Sequence, residues 1–504
     1  MKSKVILFNP KAAEVGRFIG IPLAFLTIGS RIKDKYDVKI YDSTYDDVHN
    51  VVINECKDAL CIAISAHTGY QIKDALKLAR VLRKKYPDLP IIWGGPHPSL
   101  LPLQTIKDEN VDFVVRGQGE ETFRELLQAI EEKKSFDGIL GLTYKENGNV
   151  KHNSERPIHG IDDYYPLPFN MVDVNRYITS SEIGSRTINY VTSYGCPWRC
   201  GFCSVMVVSN RRWMAASPKK VVDDMESLVK NFGVDSFIIT DNNYFTDEKR
   251  VLEIAKEIID RGLKIRYGRA NGRADTLSRL KEETWKLLEK SGLDSVLIGA
   301  ESGDQHTLDF MKKDGLVLDN LKATELCKKY HVRILYSFFI GLPNNKSSIE
   351  KEFNATVKHI NELRKIEKNN FFYFFTYSPY PGTPLYQESI KAGFQEPKCL
   401  EDWANMELFM LSVPWIPKKV SDRAYQLNFY FPIISGNAAK IISNYPAPLK
   451  FAIKPFERGL YYLMNFRVKH LFFHFPIEYY SINFFVKYAG KIPFVRKIIV
   501  GNVG

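Results

Sequence analysis

The sequence predicts an α/β protein of two modules followed by a mainly helical C-terminal region. Three observations lead there: short apolar runs alternating with stretches of helical periodicity, glycine-bearing turns at the ends of those runs, and a change of composition after Gly393. A chain of 504 residues with 45% hydrophobic content is too long for one core and divides into two to four domains.

Residues 4–9, 37–41, 60–65, 90–93 and 111–116 are short apolar runs, and the stretches between them carry helical spacing, as with Leu76, Ala79 and Leu82. Strands apolar throughout are buried on both faces, so residues 1–146 read as a doubly wound parallel sheet with covering helices. Ligands of such sheets bind outside the carboxyl ends of the strands. The turns leaving those ends span residues 9–16, 65–70, 94–100 and 116–121 and carry Ser65, Thr68, Gly69, Gly94, Gly95, Pro96, Gly117, Gly119 and Glu120. Glycine there lets the backbone approach a broad ligand closely.

Residues 147–185 lose periodicity and gain polar breaks, the composition of a linker. In residues 186–392 a second alternation begins, with strand-like runs at 188–192, 236–240, 265–267, 295–299, 333–340 and 371–377. Helices with apolar faces, such as Val251 to Ile259 and Thr284 to Leu288, separate them. This repeat indicates a partial or complete β/α barrel, whose reactive groups collect at the carboxyl mouth of the strands.

After the first of these runs comes Tyr194-Gly-Cys-Pro-Trp-Arg-Cys-Gly-Phe-Cys-Ser204, which holds Cys196, Cys200 and Cys203. That spacing lets one loop wrap three thiolates around an iron-sulfur cube and leaves the fourth iron without cysteine. Structural zinc usually takes four ligands in two close pairs, and no fourth Cys or His lies near. Cys56, Cys61, Cys327 and Cys399 are scattered, with Cys61 and Cys327 in packing positions. Cysteines without even spacing, and no apolar signal segment, lead us to expect a reduced cytoplasmic setting.

The cysteine loop, with Phe202 at its aromatic position, resembles the signature of the radical S-adenosylmethionine (SAM) family. The resemblance implies a partial (β/α)6 barrel and a 4Fe-4S cluster whose open iron chelates SAM, which reduction splits into methionine and a 5′-deoxyadenosyl radical. Residues 240–245 and 299–303 resemble the family's polar strand ends. By that likeness Glu301 helps hold the polar groups of SAM, Asp241 lines the same cavity, and Gly341 in the turn 339–343 lies beside adenine. Arg266, Arg269 and Arg273 are candidates for the methionine carboxylate, since guanidinium matches carboxylate bidentately, and the sequence does not choose among them.

Trp93-Gly-Gly-Pro-His97 followed by Val115-Arg-Gly-Gln-Gly-Glu120 resembles the flavodoxin-like cobalamin-binding domain that precedes the radical module in one subfamily. That subfamily includes the anaerobic magnesium-protoporphyrin monomethyl ester cyclase and the hopanoid and phosphonate C-methylases. The resemblance spans residues 4 to 390 and assigns the turn residues Ser65 to Glu120 named above to cobalamin. Many such domains place a cobalt-coordinating histidine after the first strand, but here residues 9–16 contain none. His67 and His97 lie in other turns and read as hydrogen-bonding turn residues.

The region 393–504 is set apart by its last 54 residues, which contain 14 Phe or Tyr and eight Lys or Arg against two Glu. No apolar stretch there reaches the ~18–20 residues of a spanning helix. Aromatics interleaved with cations suit peripheral contact with an anionic membrane; the alternative is a small helical domain that fills a core or lids the barrel mouth. The net charge of +12 comes without a nucleic-acid module, so nucleic acid is not an expected partner.

The joined modules lead us to expect cobalamin-dependent methylation of an unactivated carbon in a lipid, isoprenoid or tetrapyrrole-like substrate, with a ferredoxin or flavodoxin as electron donor. No side chain is assigned as catalytic. Two alternatives stay open: a radical cyclase or carbon-carbon bond-forming enzyme without methyl transfer, and a non-catalytic cobalamin or iron-sulfur sensor.

Overall fold

The computed structural model describes residues 2–13, 20–44, 47–343, 348–406, 413–435 and 447–489. The expected turn 9–16 therefore lies outside the described residues from position 14 on, as do residues 490–504 of the aromatic tail.

The first sheet comprises β1 (Lys4–Asn9), β2 (Asp37–Asp42), β3 (Ala59–Ser65), β4 (Ile91–Gly94), β5 (Phe113–Val115), β6 (Leu142–Glu146) and β7 (Asn149–His152), in the order 2-1-3-4-5-6-7. Strands β1 to β5 run parallel, and β6 and β7 are antiparallel. The parallel order is flavodoxin-like and puts the topological switch between β1 and β3. Val5, Ile6, Leu7 and Phe8 are fully buried, because separate apolar clusters cover the two faces. The helix Tyr70–Lys85 seats Ile72, Leu76, Ala79 and Leu82 on one of them.

The β6–β7 hairpin carries the sheet past residue 146, where the sequence reading placed a linker. Its turn, Asn147-Gly148, has φ of +50° and +78°, the left-handed pair of a tight hairpin, a signal the polar, exposed strand β7 masked. The rest of the expected linker is packed rather than loose. Ile161, Tyr164, Tyr165, Leu167, Phe169 and Tyr177 are buried in the core of the second module, since rings this large gain more from packing than from solvation. Tyr177 donates to Asp42 of the first sheet at 3.1 Å and Tyr165 to the Val191 carbonyl of the second module at 2.9 Å.

The second module contains β8 (Thr187–Tyr190), the short strands β9 (Ser193–Gly195) and β10 (Trp213–Ala215), β11 (Ser236–Ile239), β12 (Arg266–Gly268), β13 (Ala270–Gly272), β14 (Ser295–Glu301), β15 (Arg333–Ile340) and β16 (Phe371–Thr376). Parallel pairing joins β8, β11 and β12, and then β13 to β16. The run expected at 265–267 is thus two strands, broken at Arg269, whose φ of +53° turns the chain from one ladder to the next. Among the described residues no pairing closes β16 onto β8, so the barrel is partial. The free edge of β16 is covered by the helix Lys418–Ile434, whose Asn428 accepts from the Phe374 N–H at 2.7 Å and donates to the Phe374 carbonyl.

Beyond the barrel the chain first returns to the first module. Trp403, fully buried there, donates to Gln104 at 2.6 Å and packs against His97. The helices Ala447–Lys469 and Ile477–Ala489 come last, and no described helix is long and apolar enough to cross a membrane.

Candidate functional site

Cys196, Cys200 and Cys203 occupy the connection between β9 and β10, an antiparallel ribbon just past the carboxyl end of β8. Gly195 permits the entry: its φ is +80°, and a Cβ there would collide with the Arg212 carbonyl. The loop is pinned at its middle, where the Gly201 N–H donates to the Met311 carbonyl at 2.8 Å and the Gly201 carbonyl accepts from Leu385 at 3.0 Å. Burial raises the Cys196 thiol and pushes the Cys203 thiol up to about 11, so both need a metal's charge to become thiolates.

Among the described residues no three His, Cys, Asp or Glu side chains converge as one metal ion requires. In a cube each thiolate meets its own iron, so the three cysteines need not share a centre. Three thiols on one pinned loop fit such a cluster. Phe202 beside them packs on Phe339 at 4.8 Å between ring centroids, and Phe339 lies 6.2 Å from Tyr377.

Of the three candidate arginines the structure brings one to the cysteines. Arg273, just past β13, lies with a guanidinium nitrogen 3.6 Å from the Cys200 sulfur, stacks over Trp198 at 4.0 Å and pairs with Asp275 at 2.9 Å. Arg266 is tied to Asp294 at the start of its strand, and Arg269 forms a two-pronged pair with Glu182 at 2.7 Å. The strand break separates them: Arg269 is taken up in the turn between β12 and β13, and Arg273 follows the carboxyl end of β13.

Glu301, at the end of β14, is buried and receives Lys313 at 2.9 Å. Burial opposes the Lys313 charge, but Glu301 and Cys200 hold it on. Lys313 escaped sequence reasoning because Met311-Lys-Lys-Asp-Gly315 looks like an ordinary solvated charge run. Gly341, expected beside adenine, is covered by the C-terminal segment: Trp415 donates to its carbonyl at 2.8 Å, and Ile416 lies against its Cα.

Between the two modules lies a cavity of about 520 Å³, within the range of small-molecule sites. Ser65, Gly94, Gly95, Pro96, Gly117, Gly119 and Glu120 line it from the first module. Tyr194, Gly195, Ser204, Val205, Thr240 and Asn242 face them from the second. Gly95 has a φ of +90°, and a Cβ there would meet the Ser65 hydroxyl at 2.6 Å, whereas a Cβ on Gly117 would meet nothing within 4 Å. Two buried polar atoms on the wall, a Glu120 carboxylate oxygen and the Tyr194 hydroxyl, have no protein partner among the described residues. A corrin rimmed with amides supplies both donors and acceptors, so the wall fits cobalamin.

Other expected residues fall elsewhere. Thr68 and Gly69 do not line the cavity, because Thr68 bonds His97 at 3.0 Å and Gly69 packs near the Met406 carbonyl. His97 is fully buried beneath Trp403, and burial lowers its pKa to about 3, whereas His67 does reach the cavity. Asp241, expected on the SAM cavity, is wholly buried and does not line the cavity between the modules. Its carboxylate accepts from the Thr192 N–H and hydroxyl, both at 2.6 Å, and from Ser193 at 2.5 Å, and so fastens the approach to the cysteine loop.

Residues 190–355 match the model of the radical SAM superfamily, and residues 12–127 match that of the B12 binding domain. The chain is 28% identical to an uncharacterized methyltransferase of Pyrococcus horikoshii over 77% of this chain and 83% of that one. It is 29% identical to the anaerobic magnesium-protoporphyrin IX monomethyl ester cyclase of Cereibacter sphaeroides over 63% of this chain and 51% of that one. The fold is similar to that of the cobalamin-dependent SAM radical enzyme OxsB, solved with aqua-cobalamin, at a TM-score of 0.70 and 18% identity, covering 97% of this chain and 76% of that one. With both modules matched in this order, the chain belongs to the cobalamin-dependent radical SAM enzymes, the family of these methyltransferases and cyclases, and its cofactors are a 4Fe-4S cluster, SAM and cobalamin.

Proposed function

We propose that the protein methylates an unactivated carbon of an apolar substrate. The observation that carries this reading is the cavity walled jointly by the glycine turns of the first module and the flanks of the cysteine loop. When bound there, the cluster supplies the electron that cleaves SAM and cobalamin supplies a transferable methyl group.

The chain contributes placement and exclusion of water. Cys196, Cys200 and Cys203 would hold the cluster and leave it open to SAM. Glu301 and Lys313 present a carboxylate and an ammonium suited to the amino and carboxylate groups of SAM, and Arg273 sets a fixed positive charge beside Cys200. Phe202, Phe339, Tyr377 and Trp415 form the apolar side of the barrel mouth, which favours an apolar substrate. To convert R–H into R–CH3, one SAM gives up its methyl group and leaves as S-adenosylhomocysteine. A second is cleaved to methionine and a 5′-deoxyadenosyl radical, which takes the substrate hydrogen and leaves as 5′-deoxyadenosine. Two electrons come from an external donor of the ferredoxin or flavodoxin class.

The test is anaerobic reconstitution with cobalamin, iron and sulfide, then mass spectrometry after incubation with SAM, reductant and a lipid extract. Equal amounts of S-adenosylhomocysteine and 5′-deoxyadenosine, with a substrate heavier by one CH2, are expected. Deoxyadenosine without mass gain would replace methylation by cyclisation, the activity named for the Cereibacter relative. No cleavage of SAM by a fully loaded, reduced cluster would leave a sensor.

A further inference from the structure

The turn between the helices Ala447–Lys469 and Ile477–Ala489 holds large apolar side chains in water. Phe475 is 83% exposed and Ile477 72%, with Phe466 and Phe472 about half exposed beside them. The Phe466 ring lies 4.6 Å from His470 and 6.4 Å from Phe472 between centroids, and Phe472 lies 5.9 Å from His474, the residue before Phe475. The same hairpin also has an inward face: Met464, Val468 and Phe473 are buried, and Phe473 packs on Phe353 at 5.5 Å. Core filling therefore accounts for one set of apolar residues and leaves the other unexplained.

The outward set is held in place. Arg467, 5% exposed, donates to the carbonyls of Phe472, His474 and Phe475 at 2.8 to 3.1 Å and to Glu478 at 3.0 Å. Leu471 and Phe475 adopt left-handed φ of +55° and +50°, a conformation costly for bulky side chains. A buried arginine and two unfavourable backbone conformations thus keep Phe475 pointed away from the protein. Next to it a groove of about 310 Å³ is lined by Lys418, Lys419, Arg423 and His474 against the acid Asp422, with Phe475 and Tyr480 on its rim. Arg423 is engaged by Glu350 at 3.0 Å and Lys419 only loosely, at 4.0 Å.

Protruding rings bordered by cations match a phospholipid surface, with aromatics at the headgroup boundary and lysines on phosphate. We infer that this turn docks the protein on an anionic lipid bilayer, with Phe475 and Ile477 entering the interface and Lys418 and Lys419 meeting headgroup phosphates. The docking is independent of the reaction catalysed.

The test is co-sedimentation of the full-length protein with phosphatidylcholine vesicles, with and without about 30 mol% phosphatidylglycerol, at about 0.1 M and about 0.5 M salt. Binding is expected to the anionic vesicles at low salt, weakened at high salt. Lys418→Gln with Lys419→Gln should weaken it by roughly 25-fold, about fivefold per lysine. Phe475→Ser with Ile477→Ser should weaken it by more than about tenfold, with circular dichroism unchanged because both residues face water. Equal binding by the Phe475/Ile477 variant, no binding of the native chain to anionic vesicles, or concentration-dependent self-association that these substitutions abolish without vesicles would each overturn the inference.

Discussion

Replacing Arg273 with glutamine should lower the reduction potential of the cluster. The guanidinium lies 3.6 Å from the Cys200 sulfur in a buried setting, where its charge favours the more negative, reduced state. At an effective dielectric constant of about 20, unit charges at this distance interact by about 4 to 5 kcal/mol. The added electron spreads over the whole cube, so a quarter to a half of that, about 1 to 2.5 kcal/mol, distinguishes the two redox states. For a one-electron couple this corresponds to a fall of roughly 50 to 100 mV. Arg273→Lys keeps the charge but not the planar fork and should move the potential by less than half as much. Folding should tolerate the change, since Asp275 keeps Arg279 at 2.7 Å. The assay is a potentiometric titration of the reconstituted protein monitored by electron paramagnetic resonance. A glutamine variant within about 15 mV of the native value would refute the electrostatic coupling.

Gly95→Ala puts a methyl group 2.6 Å from the Ser65 hydroxyl on a left-handed backbone, so it should cost about 1 to 3 kcal/mol of stability and reduce cobalamin retention read by visible absorbance. Asn428→Ala exposes the Phe374 N–H and carbonyl at the barrel's free edge and should lower the thermal midpoint in calorimetry, through a loss of about 2 to 3 kcal/mol. Glu352 is fully buried next to the Gly341 N–H, and burial raises its pKa to about 8. An acid raised on folding keeps its proton in the folded state while the unfolded chain ionises, so stability falls as pH rises from about 4.5 to about 8. Glu352→Gln should flatten that part of the melting-temperature profile.

Most parallel strands of both modules were legible because central ones such as β1, β3 and β4 are apolar on two faces, a pattern that survives without tertiary information, whereas the three-residue β13 was too short to show one. The β6–β7 hairpin was not, although Asn147-Gly148 announced its turn, because β7 is exposed along its whole length and has no alternation to detect. The cysteine loop was readable as a local motif. Its supports were not: choosing Arg273 over Arg266 and Arg269 requires the strand break at Arg269, and Lys313 becomes significant only once its chain segment folds against Gly201. Asp241 differs again: the family resemblance puts it on the SAM cavity, and the hydroxyls of Thr192 and Ser193 hold its carboxylate within the protein. Sequence likewise carries no trace of Trp403 returning to Gln104, nearly 300 positions away.

The strap around Tyr164, Tyr165 and Tyr177 gives the molecule a seam sewn from both sides. Cutting the polypeptide near residue 160 and parting the pieces would take Asp42 away from Tyr177 and separate Ile158 from Ile161, which line the cleft together. The halves are thus poor candidates for separate expression, and the chamber between them comes into being only when one uninterrupted strand of protein has folded around it.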